Sequence, residues 1–123
     1  MTMRNRFAPH IDTTEIDGLI ESNPRWGFSN LDLIAERRGN FLVQEWKQPG
    51  EDISEGQRIL LLSLANQPRF TVLVVRGDQR DGVTTVQKVS RLTGGLDKAE
   101  VVGRTLDDLR TFVRAWYREC DNA

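Results

Sequence analysis

Residues 30–57 read NLDLIAERRGNFLVQEWKQPGEDISEGQ, and their alternation sets the rest of the chain in order. Over 31–37, Leu31, Leu33 and Ala35 fall on one side and Asp32, Ile34 and Glu36 on the other, the period of two of a β-strand. Arg38-Gly39-Asn40 follows as a turn, because Gly39 reaches positive φ at no steric cost. A second strand is predicted over 41–47, with Phe41, Val43, Glu45 and Lys47 pointing one way and Leu42, Gln44 and Trp46 the other. Strands this close in sequence form an antiparallel hairpin, so the start of the first lies beside the end of the second. Asp32 is thereby brought to Glu45, and the alternation puts Lys47 on the same side. Two carboxylates and an ammonium converge at one edge of a sheet.

Upstream, the spacing of Ile16, Leu19 and Ile20 predicts a helix over 13–22. Asp12 is its N-cap, Glu15 stands at the capping-box position, and Asn23-Pro24 ends it. Downstream, a helix begins at Ser54, with Gln57 again at capping-box spacing. Ile59, Leu60, Leu61, Leu62 and Leu64 make it apolar on most sides and predict that it is buried. Residues 70–75 (FTVLVV) read as a central strand covered on both faces. Residues 76–82 read as a polar turn, 84–92 as an edge strand, and 106–120 as a last helix capped by Thr105, with an apolar stripe of Leu109, Phe112, Val113, Trp116, Tyr117 and Cys120. The expected fold is one α/β domain over 1–123, with the order α-β-β-α-β-β-α and a mixed sheet of about four strands flanked by helices. Its core spans 12–76, and 84–121 adds the edge strand and the last helix.

Composition narrows the function classes. The chain has 123 residues, of which 28% are charged, with a formal net charge of −1. No apolar run is long enough to span a membrane, and MTMRNRFAPH lacks the apolar stretch of a secretory signal. A cytoplasmic protein is the expectation. His10 is the only histidine and Cys120 the only cysteine, which excludes multi-histidine zinc sites and disulfide frameworks. Charge is unevenly placed: residues 1–56 hold 6 Lys/Arg against 10 Asp/Glu, a net of −4, and residues 57–123 hold 11 against 8, a net of +3. An acidic part suited to a cation thus adjoins a part suited to phosphates.

The residue types at 32, 45 and 47 share one chemistry. Magnesium takes hard oxygen ligands and keeps several waters, so two carboxylates suffice to hold it while phosphate oxygens fill other positions. A metal acidifies a bound water and offsets charge on a phosphate under attack. A neighbouring ammonium stabilises developing charge.

This D-x12-E-x-K pattern on a hairpin, after a helix bearing an acid and before a helix with an early glutamine, resembles the PD-(D/E)XK nuclease superfamily. The layout is similar to the virus-type replication-repair nuclease domain and the Holliday-junction resolvases. The resemblance covers about residues 12–76 and implies a restriction-endonuclease-like fold. It implies that Asp32 and Glu45 are metal ligands, joined by the backbone carbonyl of Trp46 and by Glu15. It also implies that Lys47 is catalytic and that Gln57 is the early glutamine of the second helix. The cofactor would be magnesium or manganese. The substrate would be DNA, in repair, recombination or phage replication, and a homodimer is expected from paired cutting, using Trp116 and Tyr117 of the last helix. No proline precedes Asp32, Trp46 is large for the middle position, and the last 40 or so residues match no subfamily.

Plainer readings stand beside these. Asp32, Glu45 and Lys47 as a solvated cross-strand patch would be worth at most about 1 kcal/mol. Glu15 and Gln57 are each either cap or site residues. Arg110, Arg114 and Arg118 recur every four residues and either meet phosphates or form a solvated helix face paired with Asp107 and Asp121. Trp26 and Phe28 either stack on bases or pack. A non-catalytic interaction module on the same scaffold is the second function class, favoured if Trp46 or Arg37 fills the space between the carboxylates.

Overall fold

The computed structural model describes residues 13–93 and 98–122. The chain divides between Asn30 and Leu31 into two units.

In the first unit the expected helix is absent. One 3-10 turn, Thr14–Ile16, is all that forms, and Asp17 leaves it in an extended conformation. Gly18 follows at φ +67°. The Thr13 hydroxyl donates to Asp17 (2.9 Å) and makes no capping bond. Ile16, Leu19 and Ile20 stay exposed, so the stripe gains no burial to offset the cost of helix nucleation. Asp12 and His10 lie outside the described residues.

The second unit holds a five-stranded mixed sheet and two helices, in the order β1 (Leu33–Arg37), β2 (Asn40–Lys47), α1 (Glu55–Ala65), β3 (Phe70–Arg80), β4 (Val83–Thr93), β5 (Lys98–Gly103) and α2 (Leu106–Asn122). The spatial order follows the sequence order. Only the β2–β3 pairing is parallel, which is why a helix connects that pair. Arg38 (φ 52°) and Gly39 (φ 80°) turn the β1–β2 hairpin, the backbone that a two-residue loop requires.

Three further expectations are corrected. Residues 76–82 are not one polar turn: β3 runs on to Arg80, and the turn is Asp81-Gly82 alone, both at positive φ. Gly77 lies inside the strand, beside an irregularity in the β3–β4 register, where a Cβ would come within 2.5 Å of the Thr85 carbonyl. That glycine marks close approach of backbone rather than a chain reversal. Next, β4 is not an edge, because β5 pairs along it. The run KAEVVG alternates polar and apolar over Lys98 to Val101, a short signal that the sequence reading passed over, and it makes the sheet five strands rather than about four. Finally, α1 is half-exposed, not buried on most sides: Leu61 is its buried residue, and Ile59 is 56% exposed.

Two apolar layers cover the sheet. Leu42, Leu73, Val75, Val86 and Val89 pack under Leu109, Trp116 and Cys120 of α2, with Trp46 against them. On the other face, Val43, Val72 and Val74 pack under Leu61 of α1. Because alternate residues of β2 serve opposite faces, Glu45 and Lys47 belong with Val43 on the α1 face. Thr105 caps α2 by accepting from Asp108 N (3.1 Å), and the Asp108 carboxylate accepts from Arg104 N (2.8 Å) and Thr105 N (3.2 Å). Those bonds hold the Asp108 carboxyl below its usual range. Among the described residues no helix is long and apolar enough to cross a membrane.

Candidate functional site

Asp32, Glu45, Lys47 and Gln57 meet through three separate local rules. The β1–β2 register pairs Leu33 with Gln44, so Asp32, one residue before β1, stands level with Glu45. Its Oδ2 accepts from the Trp46 backbone N–H at 2.7 Å, which fixes the carboxylate against β2. Alternation then carries Glu45 and Lys47 to the α1 face. The third rule is helix capping. The Ser54 Oγ accepts from Gln57 N at 3.2 Å, which sets the first turn of α1 so that the Gln57 side chain reaches across and donates to Glu45 Oε1 at 2.9 Å. The backbone of Gln57 completes the cap, and its amide belongs to the site.

Glu45 is only 3% exposed. Its Oε1 takes the Gln57 amide and lies 3.9 Å from Lys47 Nζ. Its Oε2 is buried and has no hydrogen-bond partner. Burial pushes the Glu45 carboxyl above the ordinary value, and the Asp32 charge pushes it further. Lys47 pulls the other way without cancelling these effects. A hydrogen bond shared with Asp32 in the protonated form raises the Glu45 carboxyl as well. A buried acceptor left unpaired costs about 1–3 kcal/mol, and two facing carboxylates repel. A cation between them removes both costs, and one or two carboxylates are the usual protein contribution to a magnesium site. The donor set therefore fits a hard divalent ion. Among the described residues no group of three or more His, Cys, Asp or Glu side chains is placed to hold a metal.

Sequence reasoning overlooked two residues beside this group. Lys47, with a side chain 11% exposed, sits between Glu45 and Glu51, whose Oε2 is 3.7 Å from Nζ. The other Glu51 oxygen accepts from Gln48 N at 2.9 Å. Arg76 donates from one guanidinium nitrogen to the carbonyls of Gln48 (3.2 Å) and Glu51, and so ties down the loop that carries Glu51. The i,i+4 spacing of Lys47 and Glu51 was visible in the sequence. Arg76 was not, because its place depends on a parallel register that no local pattern specifies.

Each of the remaining candidates has its own surroundings. Glu15 is exposed in the 3-10 turn and belongs to the other unit. Arg110, Arg114 and Arg118 are exposed on α2, the helix that covers the opposite face of the sheet. Arg110 pairs with Asp107 at 2.8 Å, but Asp121 serves β1 instead, bonding Arg37 at 2.7 Å and Arg38 at 3.3 Å. Trp116 is buried in the α2 core and offers nothing to a partner, while Tyr117 carries the Arg37 guanidinium over its ring at 4.6 Å. Trp26 and Phe28 lie against each other, ring centres 5.4 Å apart, both exposed. No protein-family model, curated protein or solved structure matches this chain.

Proposed function

We propose that the chain is a divalent-metal-dependent nuclease of the PD-(D/E)XK type, acting on DNA. The observation that carries the reading is the buried, unpartnered Glu45 Oε2, in a carboxyl that the Asp32 charge helps to push up, with Lys47 alongside. Asp32 and Glu45 would hold magnesium or manganese, with the Trp46 carbonyl as a further ligand. A cation there supplies a more acidic water and charge neutralisation for a phosphate. Gln57 holds Glu45 in place, the Trp46 N–H orients Asp32, and Lys47 offers its ammonium to the charge that grows on the phosphate oxygens. The segment β1-β2-α1-β3 would then be the restriction-endonuclease-like core, with β4, β5 and α2 added to it. Repair, recombination or phage replication would be its setting, and a homodimer would suit paired cuts. A non-catalytic module is less favoured: the Trp46 ring packs on the α2 face and Arg37 is engaged by Asp121, so neither occupies the space beside Glu45.

Cleavage of plasmid and branched DNA in magnesium, against the same reaction in chelator, tests the reading. Asp32→Asn keeps an acceptor for Trp46 N–H and should remove cleavage without unfolding the chain. Lys47→Ala should slow it by about 100-fold or more. Cleavage that survives chelator, or that Asp32→Asn performs as well as wild type, refutes the assignment.

A further inference from the structure

Beyond the carboxylate pair, the α1 face carries a second ordered feature. Lys47 is the lateral partner of Arg76 in the β2–β3 register, and Arg76 is the lateral partner of Lys88 in the β3–β4 register. Laterally paired residues point to the same face. Val74 and Val43 fix that face as the α1 side, since both pack under Leu61. Three cations therefore stand in a row across three adjacent strands, about 10 Å from end to end at the usual strand spacing. The row lies at the carboxyl ends of the one parallel pair, where open α/β sheets place their ligands. It starts at the residue beside Glu45. The Arg76 guanidinium donates to backbone carbonyls rather than to a carboxylate, so its charge is not neutralised, and Lys88 is exposed.

On the same face, β3 and β4 continue past the end of β2 as a two-stranded arm, from Gly77 to Val86 and on to the turn at Asp81-Gly82. Between this arm and the Gln48-Pro49 loop lies a cleft of about 500 Å³, lined by polar Gln48, Asp78, Arg80, Thr85 and Gln87 and by apolar Pro49 and Val83. Its volume is in the range of small-ligand sites. Gln48, Thr85 and Gln87 offer amide and hydroxyl groups of the kind that hydrogen-bond base edges, while the Asp78 carboxylate is held by Arg80 at 2.6 Å. A duplex shows only its groove edges and keeps the Watson–Crick edges paired and stacked, so a pocket that takes a whole base serves an unpaired nucleotide.

We infer that the site takes a single-stranded segment of DNA, with its phosphates along Lys47, Arg76 and Lys88 and one unpaired nucleotide in the cleft under the β3–β4 arm. This rests on the nuclease reading for its choice of polymer and deepens it by naming the substrate class: an unpaired strand rather than intact duplex.

Fluorescence anisotropy in calcium and without magnesium measures this directly, using a labelled single strand of about 12 nucleotides, within the site sizes common for such grooves, and the blunt duplex of the same length. The single strand should bind at least about tenfold tighter, the effect of one well-made bidentate base contact. Lys88→Ala should lower the slope of log affinity against log salt by about 0.7, the value of one phosphate contact on a single strand, and Lys88→Arg should restore it. Gln87→Ala should weaken the single strand and leave the duplex unchanged. Equal or tighter binding of duplex, or an unchanged salt slope in Lys88→Ala with folding verified by circular dichroism, overturns the inference. The readout is affinity, so a protein that binds this way and cuts nothing removes the nuclease reading alone. One that cuts duplex without preference removes this inference alone.

Discussion

The two faces of the sheet are built from alternate residues of the same strands and carry opposite duties. Toward α2, Leu42, Leu73, Val75, Val86 and Val89 meet Leu109, Trp116 and Cys120 with apolar contacts throughout. Toward α1, Val43, Val72 and Val74 begin the same pattern. One rung farther along β2 it gives way to Glu45 and Lys47, and beyond them to Arg76 and Lys88. Burying Val43 stabilises the fold, whereas burying Glu45 with a bare oxygen opposes it. The contrast teaches that the α2 face holds the sheet together firmly enough for the α1 face to keep charges that folding alone would reject. Such concentrated cost, surrounded by satisfied structure, is where a functional site is expected.

If the α2 face carries stability, damage there should be large and general. Trp116→Ala removes the largest side chain of that layer and should cost about 3–5 kcal/mol, read as a lower urea midpoint at unchanged m. A cost below about 1 kcal/mol would mean that the layers share the load equally and would erase the contrast.

The opposite sign is expected at Glu45. Its folded pKa is raised, so its contribution to stability is complete below the unfolded carboxylate pKa and is lost as pH rises through the raised value. Glu45→Gln keeps an acceptor for Gln57, places an amide donor toward Asp32 and carries no charge. Without divalent metal at neutral pH it should be more stable than wild type by about 1 kcal/mol, or about 4 °C in Tm for a domain of this size. The advantage should shrink on acidification through the carboxylate range. Asp121 titrates in the other direction, since Arg37 holds its carboxyl low, and comparing the two proteins at each pH cancels its effect. A variant less stable than wild type at pH 7 would show that Glu45 belongs to the scaffold.

What the sequence made legible followed from short-range periodicity. The hairpin, the parity of Asp32, Glu45 and Lys47, the Ser54 cap and the apolar stripe of α2 each depend on residues a few positions apart. Legibility ended where local signals have two meanings. Gly77 resembled a turn glycine and is a point of close backbone approach. Ile16, Leu19 and Ile20 have helical spacing, yet only Ile16 falls in a 3-10 turn and all three stay exposed. Gln57 satisfied the capping pattern, and only the tertiary structure shows its amide turned to Glu45. Arg76 and Lys88 join the site through strand registers, which are settled by long-range pairing and leave no mark in neighbouring residues.

The central claim is that Asp32 and Glu45 form a cation site, and thermal unfolding at rising magnesium concentration, with ionic strength held constant by potassium chloride, tests it without requiring a substrate. The wild-type Tm should climb with magnesium, gaining about 2.7 kcal/mol of stability at a hundredfold excess over the dissociation constant. Glu45→Gln, more stable at the outset, should show no climb, so that the wild-type curve rises to meet it and then crosses above it. A wild-type Tm indifferent to both magnesium and manganese, or an equal rise in wild type and Glu45→Gln, would contradict the account.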